Sequence, residues 1–399
     1  MAALLDLEQA QTEVLARVQA LPGERVPTAS VLGRVTAEDV RAAVDLPPFP
    51  SSAMDGFAVR VGDIPGRLPV VAEIAAGRPA DCSLGAGEAM AISTGGVVPD
   101  GADAVVPVEV VVEKDNSVRI EYRVEVGANV RPRGGDIVSG DVVIAAGTCI
   151  SAGQVGALAA CGVAEVLCAR RPRVAVVTTG SELVPPGEPL GPGQLYEANG
   201  VMLAAALRAA GADVEVAAAV ADEERAHREA LDRGLAADVL VTSGGVSVGE
   251  HDLVRRVERE LGVEEVFWRV AMRPGKPVSF GVRGETLVFG LPGNPVSALV
   301  GCELLVKPAI RALQGSRAPL PSFERGRLAA PLRRNHARDD FVRARSRPGA
   351  DGFLLEPLSG QESHMIARAA AADALVHVPR GEGELAAGEV VSWLRLSWP

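Results

Sequence analysis

Residues 173–182 read RVAVVTTGSE, residues 238–252 read DVLVTSGGVSVGEHD, and residues 286–297 read TLVFGLPGNPVS. Each is a short apolar run that stops at hydroxyl, glycine or proline chemistry. A fourth run, EVAAAV at 215–220, lies between them, and helical stretches are expected after Asn199, from near Asp222, after Glu250 and after Asn294. Strands that are apolar on both faces and alternate with helices imply a parallel sheet covered on both sides. The expected core is therefore a doubly wound, mostly parallel α/β domain.

Outward from this core the pattern changes. The Pro- and Ser-rich stretch LPPFPSSAMDGFAVR (46–60) opens a region reaching to about residue 138. Its short β-branched runs, Ala104 to Val112 and Val118 to Val126, are separated by the turn cluster Asp115-Asn116-Ser117 and predict a small β-rich domain. A Gly-spaced segment, 139–171, ends at Arg170-Arg171-Pro172, a natural boundary. Beyond residue 318, Pro319 and Pro321 introduce GFLLEPL, DALVHVP and EVVSWLRL, a second small all-β unit. The N-terminal MAALLDLEQAQTEVLARVQAL carries Asp6, Glu8 and Glu13, so it reads as an amphipathic helix and not as a signal peptide.

At 399 residues, the chain exceeds what one hydrophobic core serves. A hydrophobic content of 48% excludes a largely disordered protein. The net charge of -11 argues against nucleic acid and acidic membranes as partners, so an anionic ligand must be held by a local pocket. Lysine occurs only at Lys114, Lys276 and Lys307, which makes each of them informative. The five cysteines, Cys82, Cys149, Cys161, Cys168 and Cys302, form no C-x-x-C pair and are expected to be buried free thiols in a reducing compartment. The uncharged stretch from Thr286 to Cys302 is broken by Pro292, Gly293, Asn294 and Pro295 and cannot span a bilayer. Cytoplasmic placement is the expectation.

Ligands of open α/β sheets sit beyond the carboxyl ends of the strands. Four loops there carry candidate chemistry. Thr178-Thr179-Gly180-Ser181-Glu182 offers hydroxyls and a carboxylate around a glycine, or only turn formers and caps. Ser243-Gly244-Gly245-Val246-Ser247 resembles a phosphate cradle without being a P-loop. Asp252 and Asp222 could hold a hydrated magnesium ion, although an Asp before a helix also reads as an N-cap. Arg273-Pro274-Gly275-Lys276-Pro277 sets two cations on a Pro-flanked loop suited to an oxyanion, or is a solvated turn. In Pro292-Gly293-Asn294-Pro295, an Asn cap followed by Pro at the first helical position would turn free N–H groups toward an anion. Outside the sheet, Asp55, Thr94 and Asp136 stand in glycine-bearing turns. The residues alone lead to a phosphate or oxyanion site with carboxylates and a metal.

In collinear order, SSAMDGFAVR, ISTGGVVPDGADAVV, RPRGGDI, RVAVVTTGSELV, VTSGGVSVGEHD, RPGKPVSFG and FGLPGNPVSA resemble the molybdopterin molybdenumtransferase family, MoeA in bacteria and the gephyrin E domain in animals. That resemblance implies an elongated molecule of four domains. They are an α/β molybdopterin-binding domain (1–22 and 172–318), a linking domain (23–45 and 139–171), a β-rich domain (46–138) and a C-terminal β-barrel-like domain (319–399). It implies a homodimer whose cleft joins the second domain of one subunit to the third and fourth of the other. Molybdopterin-AMP from a separate molybdopterin adenylyltransferase would meet molybdate there, AMP would leave with the help of Mg²⁺, and the finished cofactor would pass to acceptor apoenzymes.

Position by position, the family's acids fall on Asp55, Asp136, Glu182, Asp222 and Asp252, and its hydroxyl on Thr94; Asp222 and Asp252 are the metal candidates. Lys276 joins them as a cation at the reaction. Thr179, Gly180, Ser243, Gly244, Gly245, Ser247, Arg273, Pro292, Asn294, Pro295, Arg343 and Ser363 are the expected substrate contacts. Arg273 stands where the family usually has lysine, and Ser181 where many members have aspartate. A fold relative that makes molybdopterin-AMP, and a scaffold or cofactor carrier, are the rival readings; the flanking β-rich regions and the carboxylates oppose them.

Overall fold

The computed structural model describes residues 4–217, 219–220, 223–245, 253–349 and 351–396. Asp222, Ser247 and Asp252 lie outside the described residues. At the centre is a six-stranded sheet in the spatial order Asp213–Val216, Arg173–Thr178, Val239–Ser243, Thr286–Leu291, Ser279–Arg283 and Glu264–Trp268. The first four strands are parallel; the last two are antiparallel. This antiparallel edge departs from the simple strand–helix alternation expected. Only Gly284 and Glu285 separate Arg283 from Thr286, too short a link for the crossover that parallel pairing needs.

Both faces of the sheet are covered. One face packs Leu203, Leu207, Leu304 and Ile310 against Val176, Val241 and Phe289, together with Ala10 and Val14 of the N-terminal helix Leu7–Leu15. The other packs Leu231, Val254 and Val257 against Leu240 and Val288. The N-terminal helix begins with a capping box between Asp6 and Gln9, and Gln11 donates from its amide to the Leu304 carbonyl at 2.9 Å.

Three further cores surround this one. Val26, Val40, Ile144, Leu158 and Val166 come from segments that leave the α/β unit and return to it; strands Gly23–Pro27 and Glu165–Ala169 pair antiparallel there. A separate six-stranded sheet carries Phe57, Val106 and Ile120 on one side and Ile74, Met90 and Val105 on the other. Its hairpin at Asp115 and Asn116 has both residues at positive φ, which Asp and Asn tolerate. In the C-terminal region, Asp339–Gly349, Gly352–Pro357, Glu324–Leu328, Val390–Arg395 and Ala374–Val378 pair in a ring that closes on itself, a five-stranded barrel around Trp393. Phe341, Leu375 and Leu394 join its outer wall to the α/β core. The surface, 19758 Å², exceeds the roughly 14,700 Å² of a compact chain of 41.2 kDa, as an elongated multidomain molecule requires.

Two expectations need correction. Cys161, Cys168 and Cys302 are buried, but Cys82 and Cys149 are exposed because each sits in or beside a surface turn. The longest barrel strand, Asp339–Gly349, was not read from the sequence; its five arginine and aspartate side chains hide the alternation. Among the described residues no helix is long and apolar enough to cross a membrane.

Asp238 pins the boundary dipeptide to the sheet. It accepts two bonds from Arg170, at 2.6 and 2.7 Å, and one from the Arg173 N–H at 2.7 Å. Burial would raise its carboxyl, but these donors hold it below the ordinary value. A carboxyl depressed by folding contributes stability above its unfolded pKa of about 3.9, and loses that contribution as pH falls through its lower folded value. Asp238→Asn should cost about 2 kcal/mol at pH 7 in urea unfolding, with a deficit that shrinks below pH 4.

Candidate active site

The three central strands end level with one another: Thr178 pairs with Ser243, and Ser243 with Leu291. The residues that follow each strand therefore meet in one cleft of about 890 Å³. Of the expected contacts, Thr179, Gly180, Glu182, Ser243, Gly244, Gly245, Pro292, Asn294 and Pro295 line it.

Asn199, at the first turn of the helix Asn199–Ala209, ties two of these loops together. Its amide donates to Ser243 Oγ at 2.9 Å and to the Gly293 carbonyl at 2.8 Å, and Ser243 Oγ donates to the Pro292 carbonyl at 3.2 Å. Gly244 and Gly245 are required by shape. Both have positive φ, and a Cβ would stand 2.7 Å from Thr179 Oγ1 at Gly244 and 2.3 Å from Val254 Cγ2 at Gly245.

The backbone donors expected to face an anion are partly spent. The Gly244 N–H donates to the Leu291 carbonyl at 3.1 Å. Asn294 is the N-cap residue with Pro295 at the first helical position, but its side chain makes no capping bond. The Val296 N–H donates to the Ser363 carbonyl at 3.0 Å. Ser363 thus reaches this helix end through its backbone, and the neighbouring His364 lines the cleft. The Thr178 hydroxyl is buried on the cleft wall and has no partner among the described residues.

Glu197 and Tyr196 were not anticipated. Glu197 is buried, accepts the Gly200 N–H at 2.8 Å and lines the cleft beside the half-exposed Tyr196. No local signal marks them; they reach the site because residues 183–197 fold back over the first strand's end, Leu183–Val184 pairing with Leu195–Tyr196.

Other expected residues stand outside the cleft lining. Arg273 is ion-paired with Asp340, a buried barrel residue whose carboxyl is raised by burial against the pull of Arg273. Its charge fastens the barrel to the α/β unit. Arg343 is also buried. Its guanidinium donates to the Gly360 carbonyl at 2.7 Å and to Gln361 Oε1 at 3.3 Å, and burial pulls it below its ordinary pKa. It holds the loop that carries Ser363 and His364. Lys276 is half-buried, next to the lining residue Pro277, with no ion pair among the described residues.

Asp55, Thr94 and Asp136 belong to the β-rich unit and are exposed. Asp55 Oδ1 accepts the Thr94 N–H at 2.6 Å and its Oγ1 at 2.9 Å; these two bonds lower the Asp55 carboxyl. The Asp136 N–H donates to the Leu46 carbonyl at 2.9 Å. Within one chain, this pair and Asp136 do not line the strand-end cleft.

Two outcomes follow from this geometry. Asn199→Ala should lower stability by about 2 kcal/mol, one for each bond lost, in chemical unfolding. Thr94→Val removes the hydroxyl and keeps the N–H, so the Asp55 carboxyl should move up toward its ordinary value while staying below it. Carboxyl-detected NMR titration checks this; an unmoved Asp55 contradicts the pairing.

The sequence matches three family models: the MoeA N-terminal region (domain I and II) over residues 5–162, the probable molybdopterin binding domain over 175–312, and the MoeA C-terminal region (domain IV) over 325–396. Molybdopterin molybdenumtransferase 2 of Mycobacterium tuberculosis is 38% identical over 385 residues, covering 91% of this chain and 92% of that protein. The molybdopterin molybdenumtransferase of Haemophilus influenzae is 33% identical and covers 98% of both chains. The crystal structure of a molybdopterin biosynthesis MoeA protein from Pyrococcus horikosii superposes with a TM-score of 0.84 at 32% identity, over 99% of this chain and 100% of that one. With the strand-end cleft, the closed C-terminal barrel and all three regions in order, the chain belongs to the molybdopterin molybdenumtransferase (MoeA) family of molybdenum cofactor biosynthesis.

Proposed function

We propose that this chain takes molybdopterin-AMP and molybdate to molybdenum cofactor and AMP, working as a cytoplasmic homodimer. The observation that carries this reading is the single cleft made by three strand ends. Its volume of about 890 Å³ suits a nucleotide-bearing ligand, and its walls combine hydroxyls, amides and carboxylates with glycines that admit a close backbone approach.

The residues divide the work by chemistry. Thr179 and Asn294 offer polar groups to the ligand, and Tyr196 offers a ring face on which a flat heterocycle stacks. Asn199 and Arg343 hold in place the loops that carry these groups. Lys276, on the loop that enters the cleft at Pro277, supplies the positive charge that an oxyanion such as molybdate requires.

Glu182 and Glu197 face the same space and repel phosphate, so a cation must reconcile the charges. Among the described residues no three His, Cys, Asp or Glu side chains converge on a metal. A sparse set of carboxylates suits magnesium, which keeps water and phosphate oxygens as its remaining ligands. Asp222 and Asp252 are the proposed metal residues; bound there, magnesium would neutralise charge on the departing AMP.

The exposed Asp55 and Thr94 pair, with Asp136, would be delivered to the cleft by the second subunit. Transient docking of the molybdopterin adenylyltransferase and of acceptor apoenzymes would bring substrate and take product.

AMP release from purified molybdopterin-AMP, with molybdate and magnesium each present or omitted, tests the reaction. Release that depends on molybdate and activates a cofactor-free molybdoenzyme is expected. Consumption of ATP with molybdopterin, or binding without release, overturns it. Lys276→Ala should raise the molybdate needed for half-maximal activation about ten-fold or more, with little change at saturation; an unchanged molybdate dependence contradicts the role of Lys276.

A further inference from the structure

The opposite end of the same sheet carries a second cleft, of about 590 Å³. Arg170, Arg171 and Arg173 approach it from the segment leading into the first strand, Arg208 from the last turn of the helix Asn199–Ala209, and Asp213 from the start of the edge strand; Glu24 completes the wall. Among the described residues the strand-end cleft has carboxylates and no arginine or lysine in its lining; this one has four arginines.

The charges do not cancel. Arg170 is held by Asp238, and Glu24 is committed to Arg34. Arg173 lies 3.8 Å from the same Asp238 with its side chain 62% exposed. Arg171 and Arg208 are exposed and meet no carboxylate among the described residues; each donates to one backbone carbonyl, Gly211 at 3.3 Å and Val214 at 2.8 Å. A guanidinium has five donors in a planar fork, so these contacts orient each group and leave most of its donors free. The carbonyl bonds at the helix end account for where Arg208 sits, but not for three guanidinium groups converging on a cleft in a chain of net charge -11.

We propose that this cleft is a second anion site, which takes a phosphate-bearing small molecule in the fork of Arg171 and Arg208 with Arg173 at its rim. Asp213 is the carboxylate that opposes the ligand, and it selects for an anion able to use both forks over a simple halide. Arg170 is a positioning residue, held in place by Asp238.

Phenylglyoxal modification of the full chain, read residue by residue by mass spectrometry, tests this with inorganic pyrophosphate as the probe. Pyrophosphate should slow modification of Arg171 and Arg208 about five-fold relative to sodium chloride at equal ionic strength, and leave the exposed Arg119 unchanged. Equal protection by sodium chloride means charge screening only and overturns the proposal. Calorimetric titration of R171Q/R208Q should lose this binding, while R171K/R208K, which keeps the charge without the fork, should keep a weakened form of it. Pyrophosphate binding that is unchanged in R171Q/R208Q also overturns the site, whatever the strand-end cleft does.

Discussion

The register of three parallel strands is the constraint on which the site depends. Thr178, Ser243 and Leu291 stand side by side, so three loops that are far apart in sequence begin at one level. A one-residue slip would exchange the side chains that meet the two covering layers, so the fit to each layer specifies the register. Val176, Val241 and Phe289 are fully buried and oppose such a slip. The core therefore sets the height of the loops, and Asn199 then holds two of them together laterally. Polar groups at the cleft are held by a rigid scaffold and not by the loops alone.

Charge is distributed with the same economy. Arg273 and Arg343, both expected as substrate contacts, join the barrel to the α/β unit and brace the Ser363 loop. Lys276, beside the lining residue Pro277, has no ion pair among the described residues, while Glu182 and Glu197 make the pocket itself acidic. Under the proposed function, such a pocket would admit an anionic substrate together with a cation, which would tie binding to the metal. The β-rich unit holds Asp55 against Thr94 outside the lining of this cleft; only the proposed dimer would bring that pair to the cleft of a second subunit.

Much of the sheet was legible because its signals are local. Apolar runs ending in Thr-Gly, Ser-Gly-Gly and Pro-Gly-Asn-Pro mark strand ends by short-range chemistry, and the residues so marked line the cleft. The antiparallel edge was not read because Glu264–Trp268 and Ser279–Arg283 have no helix between them to announce strand alternation. The roles of Arg273 and Arg343 depend on Asp340 and Gly360, partners that only the fold brings near. Asn199 could be read as a helix start, but its bonds span 44 and 94 residues, a pairing that no local pattern contains. The free N–H groups expected at Gly244 and the Asn294 helix end were local inferences as well, and long-range carbonyls, Leu291 and Ser363, take two of those donors.

The central claim is that the adenylated pterin occupies the cleft at these strand ends. Hydrogen–deuterium exchange of the chain with and without molybdopterin-AMP measures this most directly. Protection should concentrate in peptides covering 178–183, 195–201 and 290–297. Protection confined to other segments, with these three unchanged, would contradict the account.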